Sequence, residues 1–282
     1  MSAVRVELEP AQIVRYRYQV AGYWFLAAFV LHLCSVGLVV AGVLLACYPV
    51  VLSWLSSLAG VAAVLSYVGF WWHDRNKNEA ELLQQRLLLA DSLGGAWAFS
   101  ERERHSMHAS LGANARKEAA QLKTADEYYD SQSVTGPQRL LDNAQESVFF
   151  TQHIAHHARN QYLLWVCLLV VVAVSSIYVS ACTLAGGALN ALVRIAVLFL
   201  FAALTGGVLK RGVGFSALAQ TCADIDSAMD ELRKAGTVEL ERVLPLVHAY
   251  QCALILAPLL PSSIYNREHD MLTEQWLARA SR

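Results

Sequence analysis

The chain has 282 residues, 56% of them hydrophobic and only 16% charged, and its mean hydropathy is +0.37; soluble globular domains carry about 25% charged residues. A net charge of −1 and a pI near 6.7 exclude an overall basic field that would attract nucleic-acid polymers or anionic surfaces. Six cysteines without CxxC spacing exclude a zinc ribbon and a thioredoxin-like redox centre.

In chain order, the cytoplasmic N-terminal segment 1–22 contains an acidic stretch from Glu7 to Pro10, which argues against a signal peptide. Residues 23–47 then run without a charge, interrupted only by His32. A hydrocarbon core of about 30 Å needs roughly 20 residues of apolar helix, so this run is long enough to span. Tyr48 and Pro49 break it, and a second uncharged run covers 50–72, completing a hairpin over 23–72. Residues 162–184 and 189–209, split by Ala185-Gly186-Gly187-Ala188, form a second hairpin over 162–209. Tyr23-Trp24, Trp71-Trp72 and Tyr162 with Trp165 stand at the ends away from the turns, where aromatic belts lie.

Every lysine and arginine except Arg194 falls in 1–22, 73–161 or 210–282. By the charge rule both termini and the central segment are cytoplasmic, and the two turns face outward. Arg194 is expected either to snorkel to the outer interface or to line a pore or subunit contact.

The cytoplasmic insert 73–161 begins with an amphipathic helix over 78–93, carried by Ala80, Leu83, Leu87 and Leu88 and ended by Gly94-Gly95. A second helix is expected over 116–123, after Gly112-Ala113-Asn114, followed by a polar turn through Tyr128-Tyr129-Asp130 and 131–136. Pro137 suits a first helical turn. From it, Leu140, Leu141, Ala144, Val148, Phe149 and Ile154 form one apolar face of a helix that continues unbroken into the third span.

In the helical tail 210–282, Phe215, Leu218, Cys222, Ile225, Met229 and Leu232 alternate spacings of three and four, a coiled-coil seam closed by Gly236. The seam packs either on the other cytoplasmic helices or on a second subunit, which makes Leu218, Cys222, Ile225 and Met229 candidate oligomer contacts. Residues 243–260 approach span length, yet Pro245, His248, Gln251 and Pro258 mark them as a buried cytoplasmic helix. The expected fold is therefore an all-α membrane protein: four transmembrane helices in two hairpins, with a helical cytoplasmic domain built from the central loop and the tail.

Catalytic signatures are missing: no GxxxxGK[ST], GxSxG, HExxH or GxGxxG occurs. The chain reads as a non-enzyme with no cofactor. His153, His156 and His157 stand at metal-sharing spacing, but only Glu146 lies near them, and interfacial histidines are the simpler reading; no metal is expected there or at His105 and His108. Cys47 and Cys182 lie at the outer ends of spans, as apolar fillers or as a disulfide. Two clusters fit a small nucleotide: Tyr128 and Tyr129 with Arg139, and Tyr265 with Arg267 in the stretch after Pro261. Rings stack on bases and guanidinium pairs with phosphate, although the same residues also anchor loops.

The order of two short-linked spans, helical insert, two spans and helical tail, with Tyr128-Tyr129-Asp130 before the helix at 140–150 and the tail at 261–267, resembles the SMODS-associating four-transmembrane effectors of bacterial cyclic-oligonucleotide antiphage systems. The resemblance implies a multi-pass protein of the bacterial inner membrane that works in the lipid bilayer as a homo-oligomer. A cognate cyclic-nucleotide synthase would supply a cyclic nucleotide second messenger; the effector would bind it and permeabilise the membrane. Two other classes fit the residues: a transporter component, for which His32 and Gly206-Gly207 are the only mid-membrane candidates, and a scaffold recruiting a partner through the seam.

Overall fold

The computed structural model describes residues 8–45, 48–122, 131, 133–183, 207–236 and 238–280. Among them the regular structure is entirely helical: α1 (Pro10–Leu44), α2 (Pro49–Leu93), α3 (Glu101–Ala109), α4 (Ala113–Ala120), α5 (Pro137–Thr183), α6 (Val208–Lys234), α7 (Leu240–Leu256) and α8 (Ser262–Ala280). A 3-10 turn, Gly95–Trp97, follows α2. Residues 189–206 of the fourth expected span, Arg194, Cys47 and the pair Tyr128 and Tyr129 lie outside the described residues.

Helix limits follow local chemistry. Pro10, Pro49 and Pro137 open α1, α2 and α5, where a missing N–H costs nothing. Gly94 (φ +57°) and Gly95 (φ +49°) adopt the left-handed backbone that stops α2. Two expectations need correction. The helix foreseen over 78–93 is the second half of a single 45-residue helix, because nothing between Trp72 and Asn78 breaks it. The helix foreseen over 116–123 spans Ala113–Ala120 instead. α3 was unforeseen because ERERHSMHA has no apolar period; the Ser100/Glu103 capping box starts it.

The chain divides into two compact units, one of Met1–Ala21, Arg75–His156 and Ser216–Arg282, the other of Gly22–Asp74 and His157–Phe215. The bounds of α1, α2, α5 and α6 each include residues of both.

In the second, apolar unit, α1 and α2 approach closely through small residues. A Cβ added at Gly69 would stand 2.9 Å from the Ala28 Cβ. Ser66 Oγ donates to the Ala28 carbonyl and Ser35 Oγ to the Ala59 carbonyl, both at 2.9 Å and buried, the close contact that drives apolar helices together. Pro10–Gly42 and Val50–Leu93 are long and apolar enough to cross a membrane, and only 11% and 17% of their most apolar windows are buried. Core helices of soluble proteins are mostly covered. Here Tyr23, Leu26, Trp54, Val64, Tyr67, Leu164, Val171 and Tyr178 are exposed instead.

The first, helical unit is built around the polar half of α5. Leu140, Leu141, Ala144 and Val148 are fully buried, but so are Asn143 and Gln145, so this stretch is surrounded rather than covered on one face. Leu8, Ile13, Leu111 and Ala119 form a further small core that ties the start of α1 to α3 and α4. The helix expected over 243–260 is α7, which starts at Leu240 and ends at Leu256, and its Val243, Val247, Tyr250, Gln251 and Leu254 are buried within this unit.

Candidate functional site

Charged and amide side chains concentrate on the first turns of α5, where helices α2, α6 and α8 converge. Arg139 donates Nε and Nη2 to the two carboxylate oxygens of Asp91, each at 3.2 Å, and Nη1 to the Ser133 carbonyl. One turn on, the buried Asn143 amide donates to Asp91 at 2.8 Å and to Ser92 Oγ at 3.0 Å. Asp142, on the adjoining face, accepts from Ser131, Ser133, Gln138 and Arg233.

Deeper along α5, Gln145 Nε2 donates to Asp226 at 3.1 Å and to Asp230 at 2.6 Å. These carboxylates sit at i, i+4 on α6, one turn apart on one face. Arg279 of α8 bridges them, Nη1 to Asp226 at 2.8 Å and Nη2 to Asp230 at 2.7 Å, with its guanidinium 5.9 Å from the Phe149 ring centroid. Burial opposes the Arg279 charge, but the two carboxylates outweigh it and raise its pKa above the ordinary value. Gln145 Oε1, Asn143 Oδ1 and Arg233 Nε are buried without a hydrogen-bond partner among the described residues.

A second polar centre joins α2 to the end of α7. The buried Lys77 ammonium donates to the carbonyls of Leu254, Ile255 and Ala257 at 2.8, 2.9 and 2.5 Å. It thereby satisfies the open carbonyl end of α7 with a cation at the negative end of the helix dipole. One turn on, burial raises the Glu81 pKa, with Lys77 and Tyr18 opposing.

Among the described residues, the expected ligand contacts Arg139, Tyr265 and Arg267 each have a different partner. Arg139 is committed to Asp91 rather than open to a ligand. Arg267 is largely exposed and pairs with its neighbour Glu268 at 2.8 Å. Tyr265 packs edge-on against His269 at 5.1 Å. Burial raises its hydroxyl pKa; Arg15 opposes this and Glu146 adds to it. The stretch after Pro261 is not a loop: Ser262 begins α8, so Tyr265 and Arg267 are helical. His153 turns Nδ1 to the Phe149 carbonyl at 2.9 Å. Leu218, Cys222, Ile225 and Met229 are buried within this one chain. Within the chain the seam therefore packs in an intrachain bundle. Burial and then Asp226 push the Cys222 thiol up to about 12.

Sequence reading missed Asp91, Asn143, Gln145, Asp226, Asp230 and Arg279. A signal existed: Asp226 and Asp230 flank the seam at i, i+4, and Asn143 and Gln145 interrupt the apolar face of α5. The network contains Arg139, Arg233 and Arg279 against Asp91, Asp142, Asp226 and Asp230. Its cations are already neutralised, so it offers an anion no net attraction and acts as a clasp between helices. No protein-family model, curated protein or solved structure matches the chain.

Proposed function

We propose that the chain is a multi-pass effector of antiphage defence in the bacterial inner membrane, with four spans and both termini cytoplasmic. Its helical unit receives a cyclic nucleotide made by a cognate synthase, and the protein then oligomerises and permeabilises the bilayer. One observation carries the membrane part: the apolar unit leaves Tyr23, Leu26, Trp54, Val64, Tyr67, Leu164, Val171 and Tyr178 uncovered. Exposed apolar side chains of that size and number are stable against lipid and a liability in water.

The sensing part is supported by topology. Helices α1, α2, α5 and α6 each include residues of both units, so a change in the packing of one has a covalent path to the other. A ligand shifts such an equilibrium only if it binds the two states differently. Tyr265 and Arg267, together with Tyr128 and Tyr129, are the proposed ligand contacts, and Arg139 holds α5 to Asp91. The burial of the seam residues within the chain favours this reading over a scaffold that recruits a partner through the seam.

Co-expression with an activated cognate synthase is expected to arrest growth and admit a membrane-impermeant dye, while either protein alone does neither. Intact membranes under confirmed nucleotide production and confirmed effector expression would sink the reading. Arg267→Ala should weaken nucleotide binding without lowering the amount of protein in the membrane.

A further inference from the structure

We propose that residues 255–260, the apolar end of α7 and the turn that follows it, dip into the boundary between headgroups and acyl chains and anchor the helical unit to the bilayer surface. The proposal rests on the membrane reading above.

The sequence between Arg242 and Arg267 contains no lysine, arginine, aspartate or glutamate, and the stretch from Leu254 to Pro261 reads LILAPLLP, without one polar side chain. The fold leaves most of that stretch uncovered. Leu256 is 86% exposed, and Ile255 and the residues from Pro258 to Pro261 are partly exposed. Single exposed leucines are ordinary, but a contiguous apolar run of this kind marks a contact surface.

The backbone of this segment is prepared for an apolar medium. Helix ends are ordinarily kept out of hydrocarbon by their open carbonyls. Here the Ala253 carbonyl accepts from the Ala257 N–H at 3.0 Å, and the buried Lys77 ammonium donates to the carbonyls of Leu254, Ile255 and Ala257. Pro258 and Pro261 bring no N–H that needs a partner. The Pro261 carbonyl accepts from the N–H groups of Ile264 and Tyr265 at 3.1 and 3.2 Å. Paired in this way, the end of α7 avoids the desolvation cost that an open helix end meets.

The same contacts give its depth and commit it to lipid. Lys77 follows Trp72 by five positions on the continuous helix α2, a rise of about 7.5 Å. One turn before Leu254, Tyr250 donates to the Ser147 carbonyl at 3.2 Å and shares a 2.7 Å hydrogen bond with Thr151. Those partners lie roughly 16–22 Å before Tyr162 along α5. Helix α7 therefore runs toward the level of Trp72 on α2 and of Tyr162 on α5, and its last turn reaches furthest. Trp71 and Trp72 are 51% and 37% exposed, as indoles at headgroup depth are. Interfacial segments bury their apolar side chains about 5–10 Å into that region, which matches the reach of the α7 end.

The test uses the full chain in phosphatidylcholine vesicles containing a phospholipid with a photoactivated diazirine on its acyl chain. Glutathione in the buffer scavenges reagent that reaches water, and labelled residues are mapped by mass spectrometry. Label is expected on 255–260 and on the apolar run around Tyr67, which is 75% exposed. Val134 is the control: it is as exposed as Leu256, at 86%, but it precedes Pro137, about 37 Å of helix from Tyr162, and should carry no label. Leu256→Asp should remove the label from 255–260 and leave that around Tyr67 unchanged. Label around Tyr67 with none on 255–260, equal label on Val134 and Leu256, or label on 255–260 that persists in Leu256→Asp would each overturn this proposal alone. No label around Tyr67 overturns the membrane reading and this proposal with it.

Discussion

Arg139 illustrates how a side chain's chemistry can be legible while its partner is not. A guanidinium beside a polar turn is suited to phosphate, but the turn through Gly136 brings it to Asp91, 48 residues earlier in the chain. Arg139→Ala is therefore expected to lower the unfolding free energy by about 1–2 kcal/mol, discounted for partial solvent exposure of the pair. A cycle with Asp91→Asn, measured by thermal unfolding without nucleotide, should show the two losses to be less than additive. Additive losses would remove the clasp. Glu81 gives a pH dependence of definite sign. Its folded pKa is raised by burial, above an unfolded value near 4.5. The unfolded state then loses its proton first, so the contribution is fully present below pH 4.5 and declines as pH rises through the folded pKa. Glu81→Gln should leave stability unchanged near pH 4 and raise it relative to wild type at higher pH; a difference independent of pH would contradict this.

At the scale of elements, local signals carried most of the helix limits. Pro49, Gly94-Gly95, Pro137 and Gly236 are backbone constraints that act within a turn or two, and helices begin or end at or beside each of them. Continuity was harder to read, because the change from apolar to charged residues near Asp74 marks a change of surroundings and not of backbone. α3 escaped notice for the opposite reason: it packs too little apolar surface to have a period. Close helix approach was also hidden. Gly69 looks like any glycine in an apolar run, yet its missing side chain lets α2 touch Ala28 of α1. Gly69→Val is expected to force the pair apart at a cost of about 1–3 kcal/mol, measured as a lower midpoint of unfolding in detergent. Gly60→Val, where nothing lies within 4 Å of an added Cβ, is the matched control.

At the scale of the whole molecule, a net charge of −1 conceals a segregation. The apolar unit contains four cations and Asp74 alone among acids, while every other carboxylate belongs to the helical unit. The uncovered side chains of the apolar unit lead to the expectation that the expressed chain stays in the membrane pellet after an alkaline carbonate wash and leaves it only with detergent; release by carbonate alone would contradict a spanning protein. The sequence by itself determined the helical character, the position of the long apolar runs and the residues at which helices start and stop, because hydropathy, proline and glycine act over a few neighbouring residues. Only the tertiary structure decided what each polar side chain is for. Arg139 meets Asp91, Gln145 and Arg279 meet the carboxylates of α6, and Lys77 meets carbonyls about 180 residues away. Such pairings are set by which helices become neighbours, and that depends on how all the buried faces are satisfied together.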